Sequence, residues 1–245
     1  MRQMPLFKIR ASAAHLIMGR IGLTEKQEET LADLSSKSKL TDKQSVTLAE
    51  LADKKANPEL PQTAKSYLEK WYAESVFAYR DEGSSKYTEK GHWLELDAID
   101  LVAGRLDWYG VEKNEEHFQD DFFTGTPDVI YKPEKTTLDT KCSWDGKTHI
   151  ELCLEPLGMD YVLQGQVYMQ LTGSERHIVA RCLLDTPEEL NRGVPVEFDA
   201  TDEERVNLKS FYYDADVIKV MQERVLLCRD YLKAYDFKVR SVLGG

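Results

Sequence analysis

Two carboxylates and an amine lie at a spacing that can make a catalytic site. Asp128 comes directly before a short β-prone run at 129–131, and Asp139 and Lys141 lie within a second such run at 136–142. Because side chains two residues apart in a strand point to the same face, Asp139 and Lys141 share a face. Two acids and one amine at one spot can bind a divalent cation and activate water, which is the chemistry of phosphodiester hydrolysis.

The turn between the two runs determines where Asp128 lies. Residues 132–135, Lys-Pro-Glu-Lys, are typical of a tight turn. If Tyr131 pairs with Thr136 across this turn, Asp128 falls opposite Asp139, and directly opposed side chains lie roughly 4.5–5.5 Å apart. One hydrated divalent cation can bridge that distance, so the hairpin predicts a metal site.

These motifs resemble the PD-(D/E)XK nuclease superfamily. The match begins with Gly-Thr-Pro-Asp at 125–128 and Asp-Thr-Lys at 139–141. Gly-His-Trp-Leu-Glu at 91–95 resembles the upstream Gly-x-x-x-Glu of the family, and residues 164–168 are similar to the Gln-x-x-x-Tyr of its exonuclease branch. Residues 9–13 look like the N-terminal Ser-containing segment of phage exonucleases of the lambda-exonuclease and YqaJ type. Five motifs in this order are far more specific than any one of them.

The resemblance implies a set of metal ligands. Asp128, Asp139, the main-chain carbonyl of Thr140, and Glu95 would hold Mg²⁺, with Mn²⁺ able to substitute. Lys141 would orient and activate the attacking water and steady the charge on the phosphate. Burial and a neighbouring cation both lower a lysine pKa, so Lys141 is expected to be able to act as a base.

Four further residues are assigned to the site or to DNA. Gln164 and Tyr168 lie four residues apart on one predicted helix face, and the resemblance implies that this face positions Lys141 or the scissile phosphate. The alternative is an ordinary amphipathic pair. Arg10 and Ser12 are assigned to the phosphate of a DNA end, whereas the simpler interpretation of Ser12 is a helix N-cap.

The function expected from the resemblance is exonucleolytic. A Mg²⁺-dependent enzyme would degrade linear double-stranded DNA from its ends, 5′-to-3′, in phage-type recombination or DNA repair. A single-strand annealing protein is an expected partner, and a ring-like homo-oligomer, such as a trimer, is the expected assembly. Two alternatives stay open: an endonuclease or repair nuclease of the same fold, and an inactive DNA-binding or assembly protein built on a nuclease core.

The expected fold is α/β, with a restriction-endonuclease-like core whose mixed central β-sheet is flanked by helices. Besides the two hairpin strands, residues 149–154 and 177–184 are predicted strands. Helices are predicted at 88–102, which carries Glu95, and at 160–171. The flanking Trp93, Leu94, Leu96 and Ile99 predict that the helix carrying Glu95 is largely buried.

The whole chain, 1–245, is interpreted as a single nuclease domain with a catalytic core at 86–182 and a C-terminal extension at 183–245 that contains a long helix at 214–235. A further helix is predicted at 62–79.

An N-terminal helical hairpin is predicted from a tandem repeat at 23–55, in which each copy begins with a capping box, Thr24 with Gln27 and Thr41 with Gln44. The hairpin is either a surface element without chemistry or an arm that guides DNA or contacts a neighbouring subunit.

Composition limits the class of protein. The 245 residues are 42% hydrophobic, and no run approaches the ~18 apolar residues of a membrane span. The four cysteines are scattered, which predicts free thiols and, with the lack of a signal-peptide pattern, a cytoplasmic enzyme. Lys and Arg number 32 against 43 Asp and Glu, a net charge of −11. DNA contact is therefore expected to be confined to a local basic groove.

Overall fold

A computed structural model describes residues 2–79 and 86–244. Of the predicted domain 1–245, residues 1, 80–85 and 245 lie outside the described residues. The chain groups into two compact units, the first made of Met1–Pro5, Leu16–Ala78 and Leu226–Gly245, and the second of Leu6–His15 and Tyr79–Val225. The single-domain organisation stays a prediction.

Within the described residues, helices predominate up to residue 105, and strands and helices are interspersed after it. The helices are α1 Ala14–Ile17, α2 Glu25–Ser36, α3 Asp42–Ala56, α4 Gln62–Phe77, α5 Lys86–Trp93, α6 Glu95–Arg105, α7 Gly146–Leu154, α8 Met159–Thr172, α9 Asp202–Arg205 and α10 Ala215–Leu243. The strands are β1 Ile9–Arg10, β2 Phe118–Gln119, β3 Phe123–Gly125, β4 Val129–Tyr131, β5 Thr136–Cys142, β6 Arg176–Cys182 and β7 Val206–Tyr212. None of the helices in the described ranges is long and apolar enough to cross a membrane.

The second unit is built on a four-stranded mixed sheet in the order β4-β5-β6-β7. The central strands β5 and β6 run parallel, whereas β4 and β7 are antiparallel to their neighbours. Leu138 of β5 and Ile178 of β6 are fully buried and pack with Ala98, Ile99 and Val102 of α6. The predicted α/β fold with a mixed central sheet is therefore confirmed.

Two elements of the sheet differ from the sequence prediction. Residues 149–154, predicted as a strand, belong to helix α7, which begins after Asp145 because that side chain accepts the backbone N–H of Thr148 at 2.8 Å. A short apolar run does not by itself distinguish strand from helix. The edge strand β7 was not predicted; it pairs along its whole length with β6.

The helix that carries Glu95 also differs from the prediction. Residues 88–102 do not form one helix, because the chain breaks at Leu94 between α5 and α6. Leu94 and Ile99 are buried as expected, but Trp93 and Leu96 are 59% and 60% exposed. The break makes Glu95 the first residue of α6, at the edge of the core.

A small three-stranded sheet, in the order β1-β3-β2, holds the N-terminal segment of the second unit. The prediction that Ser12 caps a helix is wrong. The residue before the 3₁₀ turn Ala11–Ala13 is Arg10, and no side chain caps this turn. The backbone at Arg10 pairs with β3, and α1 follows the turn directly.

The first unit contains the predicted helical hairpin. Helices α2 and α3 pack on one another, and both capping boxes are present, Thr24 with Gln27 and Thr41 with Gln44. The Lys54 ammonium donates a 3.0 Å hydrogen bond to the Gln27 side chain and so joins the two helices. The local capping signals therefore located both helices correctly.

The remaining long helices are close to their predicted positions. Helix α4 buries Leu68 and Tyr72 as expected, whereas Trp71 is half-buried and Tyr79, beyond the end of the helix, is exposed. Helix α10 begins at Ala215 and continues to Leu243, well past the predicted end. All four cysteines are free thiols.

Candidate active site

The hairpin of β4 and β5 has the register that the sequence predicts. Tyr131 pairs with Thr136, and the ladder continues through Val129 and Leu138, so the next opposed residues are Asp128 and Asp139. The turn is a 3₁₀ segment, Lys132–Glu134, followed by Lys135 in the left-handed region with φ of 48°. The turn thus brings the two aspartates to the same end of the hairpin.

A cavity of about 520 Å³ opens at that end. Glu95, Asp128, Thr140 and Lys141 line it. Its other lining residues are Thr88, Gly91, His92, Cys142, Ser143, Trp144, Thr148, Leu152 and Tyr161. The structure therefore brings most of the predicted metal ligands and the predicted base to one opening.

Asp128 is held by Thr140. The backbone N–H of Thr140 donates to Asp128 Oδ2 at 2.7 Å, and the Thr140 hydroxyl donates to the same oxygen at 3.0 Å. Burial and the nearby charge of Asp139 raise the pKa of Asp128 to about 7, from a usual value of 3.8. A neighbouring positive charge would stabilise the ionised form of this carboxylate, so Asp128 has the electrostatic character of a cation ligand.

Asp139 is only 2% exposed and forms an ion pair with Lys141. Burial disfavours the charge on Lys141, but the two aspartates outweigh burial and raise the pKa of the lysine. The sequence predicts a lowered pKa for Lys141. With the protein's own groups alone this prediction is wrong, because both neighbouring acids stabilise the ammonium. Lys141 is accordingly a cation beside the cavity, suited to neutralising a phosphate.

Gln164 and Tyr168 lie together beside Asp139, and their predicted role in positioning Lys141 or the phosphate stays a prediction. The Gln164 amide donates to the Tyr168 hydroxyl at 2.9 Å and lies 3.5 Å from Asp139 Oδ1. Burial raises the pKa of the Tyr168 hydroxyl, which keeps it protonated. These two side chains support Asp139 from the buried side and do not line the cavity.

Two glycines allow helix α8 to approach the strands closely. A Cβ at Gly165 would lie 2.3 Å from His177 Cδ2 and 2.5 Å from Phe211 Cζ. A Cβ at Gly125 would lie 2.9 Å from the Tyr168 ring. The glycine of the Gly-Thr-Pro-Asp motif therefore has a packing role, which is to make room for the Tyr168 ring.

Glu95 lines the cavity but has another partner. Its Oε2 accepts an ion-pair hydrogen bond from Lys113 at 2.9 Å, and this bond raises the pKa of Lys113. Within residues 2–79 and 86–244, no three His, Cys, Asp or Glu side chains are grouped closely enough to hold a metal ion. Lys113 was missed by the sequence analysis, since a single lysine in a charged loop gives no signal.

Two other residues with a place in the site were also missed. Asn114 donates from its amide to the carbonyl of Pro127 at 2.9 Å, and its backbone N–H donates to the carbonyl of Asp128 at 2.7 Å. The Tyr161 ring lies on the cavity with its centre 5.8 Å from the Lys141 ammonium. Asn114 therefore fixes the backbone at Asp128, and Tyr161 covers one side of the lysine.

Arg10 and Ser12, assigned to DNA binding, do not line the cavity. Arg10 is exposed on β1 and pairs in register with Thr124 of β3. Ser12 is exposed in the 3₁₀ turn that packs against α8. The structure places Arg10 on the small sheet and Ser12 in the turn that follows it, and their assignment to DNA stays a prediction.

The donors at the cavity suit a hard divalent cation. Asp128 and Thr140 line the cavity, and buried Asp139 lies opposite Asp128 on the hairpin; the two carboxylates and the Thr140 carbonyl offer oxygen ligands only. Mg²⁺ is usually held by one or two carboxylates and keeps several waters, so a closed cage of protein ligands is not required. Burial and, after it, the charge of Asp139 disfavour the ionised form of Asp128 and raise its pKa, and such an ion would offset both effects.

The fold is shared with exonucleases of known structure. A phage-related exonuclease from Haemophilus somnus 129PT matches with a TM-score of 0.70 and 24% identity, over 96% of this chain and 97% of that chain. An alkaline exonuclease from Laribacter hongkongensis matches with a TM-score of 0.63 and 14% identity, over 96% and 93%. Its complex with dAMP matches with a TM-score of 0.58. No protein-family model and no curated sequence matches the chain. The predicted resemblance is confirmed for the fold.

Proposed function

We propose that this protein is a divalent-metal-dependent exonuclease that hydrolyses phosphodiester bonds at the ends of linear double-stranded DNA. The observation that carries the proposal is that Asp128 and Lys141 line one cavity, while Asp139, buried behind it, pairs with Lys141 on a hairpin with the register that such a site needs. The fold shared with exonucleases, one of them in complex with dAMP, supports the same activity.

The chain's own residues have separate tasks in this proposal. Asp128 and Asp139, with the Thr140 carbonyl, would hold Mg²⁺ or Mn²⁺, and Glu95 would join them through water or after leaving Lys113. The ion would lower the pKa of bound water and offset charge on the phosphoryl oxygens. Lys141, held as an ammonium by its acidic neighbours, would orient the water and neutralise the phosphate.

Three finer points are proposed from the resemblance. They are the 5′-to-3′ direction, the role in phage-type recombination or DNA repair, and a single-strand annealing protein as partner. Arg10 and Ser12 are proposed to contact the DNA phosphates from the small sheet. Both side chains are exposed there and available to a ligand.

A ring-like homo-oligomer, most simply a trimer, is proposed as the working assembly. A single chain with a net charge of −11 attracts DNA weakly. A closed ring holds DNA topologically, and its symmetry repeats each basic residue around the inner wall. Light scattering at several concentrations tests this proposal, and a monomer that still degrades long DNA without releasing it would contradict it.

A substrate panel tests the enzymatic proposal. End-labelled linear duplex, closed circular duplex and single-stranded DNA are incubated with Mg²⁺, with Mn²⁺ and with EDTA. Loss of linear duplex alone, only with a metal, is expected. Cutting of circles would indicate an endonuclease, and no cutting with either metal would indicate a DNA-binding or assembly protein.

A further inference from the structure

A fully buried lysine outside the predicted motifs joins the two sides of the cavity. Lys90, near the end of α5, has 0% of its surface exposed. Its ammonium donates to three backbone carbonyls, those of Ser143 at 2.9 Å, Trp144 at 3.2 Å and Leu184 at 2.8 Å. An ammonium has three N–H donors, so each of them has a carbonyl partner.

The surroundings of Lys90 are aromatic as well as polar. The ammonium lies 5.7 Å from the centre of the Trp144 ring and 5.5 Å from that of Phe198, within the range of cation–π attraction. Burial lowers the pKa of this lysine. Burying a charged amine is costly unless it is hydrogen-bonded, and the three carbonyls supply those bonds.

The segments that Lys90 joins carry the proposed metal ligands. Ser143 and Trp144 directly follow β5, the strand of Asp139 and Lys141. On the other side, Lys90 lies in the last turn of α5, which ends directly before the break at Leu94 that leads to Glu95. The side chain of Lys90 therefore ties the segment that follows β5 to the last turn of α5.

We propose that Lys90 is a positioning residue that sets the distance between Glu95 and the pair Asp128 and Asp139 across the cavity. This inference rests on the proposed nuclease function. Lys90 is not a cavity-lining residue, and its three hydrogen bonds go to backbone: they fix Ser143, Trp144 and Leu184 against the last turn of α5. A shift of about 1 Å between reacting groups can lower the rate roughly 10²-fold.

The test compares two substitutions of similar chemistry. Lys90→Met keeps the length of the side chain and removes all three donors. The control is Gln166→Met, because Gln166 is also buried in the second unit, donates to the carbonyl of Tyr212 at 2.8 Å and accepts from the N–H of Asp214 at 2.9 Å. Gln166 does not line the cavity, so its loss removes buried bonds without loosening the proposed site.

Steady-state kinetics on linear duplex DNA distinguishes positioning of the site from general support of the fold. Both variants are measured at a temperature where they remain folded. Lys90→Met is expected to lower kcat roughly 10²-fold with little change in KM, while Gln166→Met keeps kcat near wild type. An unchanged kcat in Lys90→Met would overturn the inference, and so would an equal loss in both variants.

Amide hydrogen exchange gives a second readout that needs no activity. Faster exchange at residues 140–145 and 91–95 is expected in Lys90→Met and not in Gln166→Met. If the wild-type protein cuts no DNA with either metal, the proposed function fails, yet this exchange pattern still decides whether Lys90 joins the two segments. Unchanged exchange in Lys90→Met would contradict the inference even in an active enzyme.

Discussion

Thr140 donates two hydrogen bonds to a single oxygen of Asp128, from its backbone N–H at 2.7 Å and from its hydroxyl at 3.0 Å. The two bonds cross the hairpin and fix the orientation of the carboxylate. The same residue offers the main-chain carbonyl that is the expected third ligand. Thr140 thus both orients one proposed metal ligand and supplies another.

Removing the amine of Lys141 should abolish turnover. Lys141→Ala is expected to lower kcat roughly 10²–10⁴-fold, the usual effect of losing a proton-transfer or charge-stabilising group. Without metal, the variant should melt below wild type, because buried Asp139 loses its ion-pair partner, and added Mg²⁺ should narrow the gap. Lys132→Ala, at an exposed lysine in the hairpin turn, is the control. Activity of Lys141→Ala within about tenfold of wild type would refute its assignment.

The two aspartates should dominate metal binding. Asp128→Asn and Asp139→Asn are each expected to weaken Mn²⁺ binding strongly, because each removes one of the two carboxylates that meet across the hairpin. Glu95→Gln should weaken it less, since Glu95 is paired with Lys113. Titration calorimetry measures all three. If both aspartate variants bound Mn²⁺ as tightly as wild type, the proposed ligand set would be wrong.

The contribution of Asp128 to metal-free stability should fall as the pH rises towards neutrality. The pKa of Asp128 is raised from 3.8 to about 7 in the folded protein, by burial and by Asp139. Between about pH 4 and pH 7 the folded state keeps a proton that the unfolded state has released, so this group's contribution to stability declines over that window. Asp128→Asn should flatten the decline, whereas Asp97→Asn, at an exposed acid of α6, should not. Melting temperatures measured in EDTA at several pH values check both expectations. If the melting temperature of wild type changed with pH no more steeply than that of Asp128→Asn, the raised pKa of Asp128 would be contradicted.

The close approach at Gly165 should be intolerant of a methyl group. Gly165→Ala places a Cβ 2.3 Å from the His177 ring, and overpacking of this kind typically costs about 1–3 kcal/mol. Gly104→Ala on α6 is the control, because nothing lies within 4 Å of its Cβ, and alanine favours a helix by about 0.5–1 kcal/mol over glycine. Chemical denaturation should show a lower free energy of unfolding for Gly165→Ala than for wild type, and a higher one for Gly104→Ala. Equal stability of Gly165→Ala and wild type would show that α8 can move away.

The sequence predicts those features of the site and the fold that depend on residues close together along the chain. The turn at 132–135 and the period-two spacing of Asp139 and Lys141 predict the hairpin register, and the structure has that register. The capping boxes at Thr24 and Thr41 likewise predict the helices that follow them. In each case the determining contacts lie within a few residues along the chain.

The features that the sequence did not predict depend on contacts between residues that are far apart along the chain. Lys113 meets Glu95, and Lys90 meets Leu184, through packing that no local pattern encodes. Residues 149–154 contain an apolar run that fits either strand or helix, and the side chain of Asp145 decides for the helix. The direction of the Lys141 pKa also required the structure, since it depends on how closely two acids surround the amine.

The four-residue turn between β4 and β5 has a consequence for how this chain can vary. Inserting or deleting one residue there would shift the pairing by one position and move each side chain of one strand to the opposite face. Asp128 and Asp139 would then point away from each other even though both remain in the sequence. Tolerance to changes of length, usual for surface turns, should therefore be absent at residues 132–135.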